Sequence, residues 1–483
     1  MLLIEVKLFS MKPNILFFLI DSFRADKCHG NKKTSITPNL ESLIQNGMYF
    51  SQTICSASVS CPSVSSMFTS LYPFEAIILD GNHFKLNPKI TTFIKKLIEY
   101  EYNAYAIIPE LISYMGLNQV FENHIETYSS SSTLYDGLGD RIISKLESMS
   151  LKDPWIYYLH LLDLHGSAKF QLSEGPKEFQ DNKYGINQYE RMVSAMDVWI
   201  GKILQKINLE KTLIVLTADH GSEVGVYTPE MEIYRQKIVE YKPGLAYKST
   251  HKITTNFPKF LSPIRKKLSK TYTNRKRKKI EQKRNLEIVK LEEQNLSNYE
   301  KRLLQHIIKP ILDVYDDRVK VPLIFAGYGI DSGKVISQQV RGIDIFPTIA
   351  EIVGMPKQNN LGRGRSLLSL MYGQKLEEIP IFLESTANSL KSLTSNVVGI
   401  RTSQYKYFRD RTKPKDLVHL FDLQKDSHEE NNIADLQPEV VEEMENILLN
   451  IKNKQTFEFK KQVISDDKED KKIEKELKKL GYI

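Results

Sequence analysis

Disulfide chemistry is the first thing this chain lacks. Its three cysteines, Cys28, Cys55 and Cys61, are too few for a disulfide framework and show no CxxC pair of the kind that holds zinc. They read as reduced thiols. Long hydrophobic runs are missing as well: the longest, Ile15–Ile20, falls far short of the roughly 18–20 residues that a bilayer span needs, so no transmembrane segment is expected. With 23 glycines and 19 prolines in 483 residues, neither a collagen-like nor a broadly low-complexity chain fits. The first ten residues carry Glu5 and Lys7 and no small-residue cleavage site, so they do not read as a secretory signal. Taken with the reduced thiols, this makes a cytoplasmic location the expectation.

What is present is an ordinary globular balance, 41% apolar and 26% charged, in a chain long enough for a large core and too long for one small module. The formal net charge of +8 is local in origin. Residues 259–290 hold 13 Lys and Arg against Glu281 and Glu287, leaving 54 basic and 57 acidic residues elsewhere. That segment reads first as a solvated insertion or exposed helix. Its alternative is a contact surface for an anionic lipid, glycan or nucleic acid, with nucleic acid not expected as a partner.

Asn14–Ile20 (NILFFLI) is a continuous apolar run that stops at Asp21, the pattern of a strand buried on both faces of a parallel sheet. Trp155–Leu159 and Thr212–Thr217 have the same character, and Met48–Thr53 reads as a further strand. Thr37-Pro38 opens a helix with Leu40, Leu43 and Ile44 on one face and Gly47 at its end. Pro62 starts another, with Val64, Met67, Phe68 and Leu71 as its core stripe. A long helix is expected from about Tyr189 to Ile207, and Val321–Phe325 resumes the sheet. From about Ile379 short strands alternate with polar turns, followed by a helix near Glu439–Ile451. The expected fold class is α/β: a central, mostly parallel sheet flanked by helices, with a smaller C-terminal antiparallel α+β subdomain. The expected divisions are a catalytic domain over 11–375 with a basic insertion at 240–310, a small subdomain over 376–455, and an exposed charged tail over 456–483.

In an open parallel sheet, ligands bind beyond the carboxyl ends of the strands. Asp21 follows one buried strand and Asp219-His220 follow another, so two carboxylates and an imidazole are expected at one sheet edge, a set that suits a divalent cation. The alternative is that both aspartates cap helices. Ser60 stands at a helix start, where the dipole, free amides and a nearby cation would help its hydroxyl to ionise; its alternative is a helix-capping serine ahead of Pro62. His160, Asp163 and His165 follow WIYYL to the same edge. Of these His165 is the candidate for holding a sulfuryl or phosphoryl oxygen, and His160 is assigned to packing, in the core or behind the site's ligands.

These segments resemble the sulfatase family of the alkaline-phosphatase superfamily over nearly the whole chain. The resemblance runs through NILFFLIDSFRAD, TPNLESLIQNGMYFSQT, SCPSVSSMFTSLYP, LTADHGSEVG, KVPLIFAGYG, GIDIFPTIAEIVG, GRSLLSL, IRTSQYKY and LFDLQKDSHEENNIA. It implies Asp21, Asp219 and His220 as metal ligands, Ser60 as nucleophile and fourth ligand, and His165 at the substrate oxyanion. It also implies one divalent ion, calcium foremost with magnesium, manganese or zinc as alternatives. Lys248, His251 and Lys252 follow the DHG block where the family often places a further basic substrate contact.

The departures are informative. The family's nucleophile motif runs C/S-x-P-x-R, its Cys or Ser being converted to formylglycine; here Val64 stands where the Arg belongs, and Cys61 is one residue out of register. There is no GKWHLG-like block, and Ser22 replaces a second metal-binding Asp. The resemblance therefore implies a metal-dependent hydrolase of sulfate esters of a small molecule or saccharide, with Ser60 as such or as formylglycine. The alternatives are a phosphodiesterase, phosphonate hydrolase or phospho-group transferase using Ser60 directly, and an inactive member that binds an anionic polymer.

Overall fold

The structure is a computed structural model that describes residues 12–80, 83–121, 124–148, 151–166, 175–239, 286, 290–291, 293–308, 313–330, 333–356, 362–385, 396–453 and 472–476. Two compact units partition the chain, one of Met1–Val226 with Leu312–Ile483 and one of Tyr227–Ile311.

The larger unit is built on a nine-stranded sheet. In chain order its strands are β1 (Asn14–Ile20), β2 (Gly47–Ile54), the hairpin pair β3 (Ile77–Asp80) and β4 (His83–Leu86) that stands apart, then β5 (Asn103–Pro109), β6 (Ile125–Tyr128), β7 (Trp155–Leu161), β8 (Thr212–Thr217), β9 (Lys320–Gly327), β10 (Lys334–Ile336) and β11 (Val340–Arg341). The lateral order is β10-β2-β9-β8-β1-β7-β5-β6, with β11 also on β2. The central strands β8, β1, β7 and β5 run parallel, while β9 lies antiparallel between β8 and β2. The apolar runs of β1, β7 and β8 form the middle of this sheet because both of its faces are covered.

Four helices matter most: α1 (Pro38–Gln45), α2 (Ser60–Thr69), α3 (Gln188–Leu204) and α4 (Ile345–Ile352). Gly47 does not end α1 as expected; Asn46 caps it and Gly47 is already strand. A Cβ there would lie 2.5 Å from the Phe325 carbonyl, so glycine lets β2 approach β9. On one face of the sheet, Phe68 of α2 and Phe346 of α4 pack with Phe17, Phe93, Phe121 and Tyr158 in an aromatic core.

A second, antiparallel sheet follows in β12 (Ile381–Ser385), β13 (Val397–Arg401), β14 (Tyr405–Asp410) and β15 (His419–Asp422), backed by helix α5 (Pro438–Asn453). Its core joins Phe382, Ile400, Tyr407, Met444 and Leu448 to Tyr72 and Phe74 of the main body. The tail departs from expectation. Residues 472–476 are helical, but Ile473 is buried in the main core and Glu476 accepts from Ser130 at 3.0 Å; one apolar side chain among charges suffices to anchor that turn. In the smaller unit the helices Pro229–Val239 and Asn298–Ile308 are described, while most of the basic run lies outside the described residues. No described helix is long and apolar enough to cross a membrane.

A buried ionic cluster fastens the second sheet to the first. Lys406 of β14 is fully buried and pairs with Asp316 at 2.5 Å and Glu429 at 2.8 Å, and Arg401 of β13 grips the same Asp316 at 2.8 Å. Burial pushes the Asp316 carboxyl up, but Arg401 and Lys406 outweigh it and hold it well below the usual range. Its depressed value means that this stabilisation is fully present above about pH 4 and is lost as the pH falls through the folded-state value. Lys406→Met, which strands Glu429 and weakens the pairing of Asp316, is expected to cost about 3–5 kcal/mol. Urea unfolding checks this, and the penalty should shrink as acid protonates the stranded carboxylates.

Candidate active site

The sheet register brings the sequence candidates together. Leu19 of β1 lies beside His160 of β7 on one side and Thr217 of β8 on the other, so Asp21 and Asp219 emerge from neighbouring strand ends. The nucleophile candidate arrives from α2. Ser60 is its first residue, the cap position is Val59, and no side chain caps the helix. The Ser60 hydroxyl is thus free of a capping role and turns to the sheet edge, 3.0 Å from Asp21 Oδ2 and 3.2 Å from His220 Nε2. Its single hydrogen goes to one of these two acceptors. Both serine and carboxylates are buried.

Each aspartate has one oxygen tied back into the fold and one turned to the site. Asp21 Oδ1 accepts from Ser22 Oγ at 2.6 Å. Asp219 Oδ1 accepts from the His220 amide at 2.8 Å and the Ser22 amide at 3.3 Å. Ser22 reaches both because it adopts a left-handed conformation (φ +65°), uncommon for a residue with a Cβ. That turn is held by Tyr189 of α3, whose hydroxyl donates to the Ser22 carbonyl at 2.7 Å. The Ser63 hydroxyl donates to the Asp219 carbonyl at 2.6 Å and joins α2 to the β8 loop.

His220 is fixed by its own backbone. Its Nδ1–H donates to the Gly221 carbonyl at 2.8 Å, so Nε2 carries a lone pair facing Ser60 Oγ and, at 3.6 Å, Asp219 Oδ2. Gly221 is required here by close approach: a Cβ would sit 2.1 Å from the Asp317 carbonyl oxygen. Burial pushes the His220 and His165 imidazoles below their ordinary value and favours their neutral forms. For Asp219, burial and then the Asp21 charge push the carboxyl up. Asp21 is also opposed by burial, but His165, His160 and His220 outweigh it and hold the group low.

Asp21, Asp219 and His220 offer ligand atoms that all lie within 4.8 Å of one another, and Asp219 Oδ2 is buried with no hydrogen-bond partner among the described residues. Two buried carboxylates side by side, one oxygen orphaned, with an imidazole nitrogen beside them, fit a divalent cation. His165, on the loop after β7, lies close enough to Asp21 for the two to influence each other's titration. Lys248, His251 and Lys252 lie outside the described residues.

The two other residues of the nucleophile segment are turned away. Val64 is in the hydrophobic core, and Cys61 is buried there with its thiol donating to the Phe84 carbonyl at 3.1 Å. Burial pushes that thiol up to about 12, which removes it as a nucleophile. Sequence reasoning missed Arg318, just ahead of β9, whose guanidinium meets Glu223 at 3.2 Å and the Ser58 carbonyl at 3.4 Å. Recognising β9 as antiparallel would have found it, because the start of such a strand lies at the edge where its parallel neighbours end.

The chain is similar to known proteins both in sequence and in fold. The family model described as Sulfatase matches residues 13–355, and that described as N-sulphoglucosamine sulphohydrolase, C-terminal, matches 312–455. Arylsulfatase K of Bos taurus is 33% identical over 148 residues, 29% of this chain and 27% of that protein. The chain thus matches little more than a quarter of that relative's length. An ulvan-active sulfatase of Formosa agariphila is 24% identical over 284 residues, 52% of this chain and 54% of its own. Among solved structures, a 2-O GAG sulfatase superposes with a TM-score of 0.61 at 15% identity, covering 95% of this chain and 96% of that one. A structure solved with its substrate D-glucosamine-2-N,6-O-disulfate gives 0.58 at 16% identity, covering 92% and 99%.

Two outcomes follow. A divalent cation at about 100 times its dissociation constant should stabilise the protein by about 2.7 kcal/mol, read as a rise in the urea midpoint that Asp219→Ala abolishes. Cys61→Ala should leave turnover within about threefold while costing stability through the lost core volume; loss of turnover in a folded variant would return the thiol to the mechanism.

Proposed function

Because this chain belongs to the sulfatase family, we propose that it hydrolyses a sulfate ester, with the Ser60 side chain supplying the attacking oxygen. The observation that carries this reading is the position of Ser60 Oγ between Asp21 Oδ2 and His220 Nε2 at the amino end of α2. Asp21, Asp219 and His220 would hold a divalent cation, which would supply Lewis-acid charge to the reaction. Its imidazole ligand suits manganese or zinc better than calcium, whose preferred ligands are oxygens, so all four ions, magnesium included, belong in the test.

The remaining work falls to the chain's own groups. The amino end of α2 places positive partial charge beside Ser60, and His165 is assigned a hydrogen bond to a sulfuryl oxygen. Two routes keep the atoms balanced. If Ser60 is oxidised to formylglycine by a separate maturation system, its aldehyde adds water to give a diol. One hydroxyl of the diol forms the O–S bond as the ester S–O bond breaks and the alcohol leaves with a proton. The second hydroxyl then loses its proton, the C–O bond to sulfate breaks, and the aldehyde returns. If Ser60 is unmodified, its oxygen forms the bond directly and the serine ester must be hydrolysed afterwards.

Val64 favours the second route as an alternative reading. Where the family places an Arg, this chain has a buried methyl-bearing side chain in the core, and direct serine chemistry suits a phosphodiester or phosphonate better than a sulfate. For the sulfate reading the substrate class is a saccharide ester, in keeping with the ulvan and glycosaminoglycan activities by which the relatives are known.

The mass of the peptide containing Ser60, from protein purified from its own host, separates the routes. Two hydrogens fewer at Ser60, with release of sulfate from sulfated saccharides, is the expected result. An unmodified Ser60, turnover confined to phosphodiesters and a trapped phosphoserine would replace the sulfate reading by the phosphoryl one. In both cases Ser60→Ala should lower turnover by at least about a thousandfold.

A further inference from the structure

The sequence left His160 between packing in the core and packing behind the site's ligands, and its surroundings favour the second. It is fully buried in β7, yet among the described residues its Nε2 has no hydrogen-bond partner, and it lies 3.9 Å from Asp21 Oδ2, the oxygen that also meets Ser60. A buried imidazole nitrogen without a partner is costly, and this one is aimed at the carboxylate pair. The ring's other nitrogen decides what it offers. His160 Nδ1 lies 3.1 Å from the hydroxyl of Tyr158, two residues earlier on the same strand and face. That phenol has no other hydrogen-bond acceptor among the described residues, so it donates to Nδ1. Burial pushes the phenol far above its ordinary value, which keeps its hydrogen in place. The Tyr158 ring is itself gripped by Phe17, Phe68 and Phe121, with centroids 5.6, 5.2 and 5.5 Å away. With Nδ1 occupied as an acceptor, the ring's hydrogen is at Nε2.

Two of the three histidines around Asp21, His220 and His160, therefore have opposite tautomers. His220 has its hydrogen on Nδ1, tied to the Gly221 carbonyl, and offers a lone pair to the site. His160 has its lone pair tied to Tyr158 and offers a hydrogen. A nitrogen that carries a hydrogen does not ligate a metal, which separates His160 from the Asp21, Asp219 and His220 set.

We propose that His160 is a positioning residue for the cation site: it presents an Nε2–H donor to Asp21 Oδ2, orienting that carboxylate toward a divalent cation. Tyr158 fixes the tautomer that makes this possible. At 3.9 Å the interaction is longer than a hydrogen bond, so it acts as an aimed dipole that a small rotation of the carboxylate converts into one. The inference rests on the assignment of Asp21, Asp219 and His220 as a cation site, and it is independent of which ester the protein cleaves.

Calorimetric titration of the full chain with manganese or zinc, without substrate, tests it, with thermal unfolding recorded for each variant. His160→Leu keeps the bulk and removes the donor; it is expected to weaken cation binding about 10- to 100-fold. His160→Gln, whose amide can place an N–H near Nε2, should restore affinity to within about threefold of wild type. Tyr158→Phe keeps the ring packing and frees Nδ1, and a fall of a few-fold is expected. Unchanged affinity in His160→Leu, with only its melting temperature lowered, would reduce His160 to packing. Tighter binding in Tyr158→Phe, or equal losses in the Gln and Leu variants, would make Nε2 a ligand and overturn the donor role. Absence of cation binding by the wild type would overturn the site and this proposal with it. None of these readouts depends on turnover, so failure of the sulfate reading leaves the test intact.

Discussion

The constraint on which this molecule turns is the side-by-side burial of two carboxylates at the ends of adjacent strands. β1 and β8 are hydrogen-bonded neighbours, which brings their chains to about 4.8 Å, and both end in an aspartate inside a dry pocket. Such a pair repels unless something positive or hydrogen-donating stands between or behind it. The fold answers from behind: a left-handed serine, two backbone amides and a hydroxyl hold one oxygen of each acid. The outer oxygens are thereby turned to a common side. Ser60, His220 and His160 meet them there from three different elements. The site is thus a consequence of strand order before it is a consequence of any single side chain.

Strand order also explains what could be read in advance. The runs ending at Asp21, Leu161 and Thr217 are uninterrupted and apolar because their strands are covered on both faces, and the same feature announces a parallel sheet whose carboxyl edge carries ligands. Asp21, Asp219 and His220 were legible on that basis, and Ser60 from its place at a helix start. β5 was not, because Asn103–Pro109 mixes tyrosine and alanine into its run and imitates a surface segment. The direction of β9 was equally hidden: VPLIF has the composition of a buried strand, and composition carries no direction. Arg318 went unnoticed for that reason. His160 was left between two kinds of packing for another. An imidazole inside an apolar strand is most often satisfied by its neighbours, and only the three-dimensional placement of Tyr158 and Asp21 shows that one of its nitrogens is not.

The second sheet contributes to the site without supplying a ligand. Its edge strand β12 lies alongside the nucleophile loop: Glu384 accepts from the Ser58 amide and donates its own amide to the Ser56 carbonyl, on either side of a bridge to Ala57. The loop that delivers Ser60 is therefore clamped by backbone pairing to a sheet that is itself tied to the main body through Lys406, Arg401 and Asp316. Displacing that sheet would release residues 56–58, and the Ser60 hydroxyl stands only two residues farther on. An ionic cluster remote from Ser60 is in this way coupled to the placement of its hydroxyl.

Val64 bears on how the nucleophile is activated. Four residues after Ser60 on the same helix, it spends its position on the aromatic core, so α2 brings no guanidinium to the reacting oxygen. Arg318 does not replace one. It approaches from the start of β9, bonds the Ser58 carbonyl, and is neutralised by Glu223, with Asp313 3.7 Å away. In the proposed reaction, lowering the acidity barrier of an oxygen at Ser60 would fall to two sources, the positive end of a ten-residue helix and a cation at the Asp21, Asp219 and His220 set. A helix terminus contributes on the order of 1 kcal/mol, whereas a coordinated divalent ion shifts the acidity of a bound hydroxyl by several pKa units. A cation there would carry most of that task, and the hydrogen-bond donors that orient those carboxylates would matter in proportion.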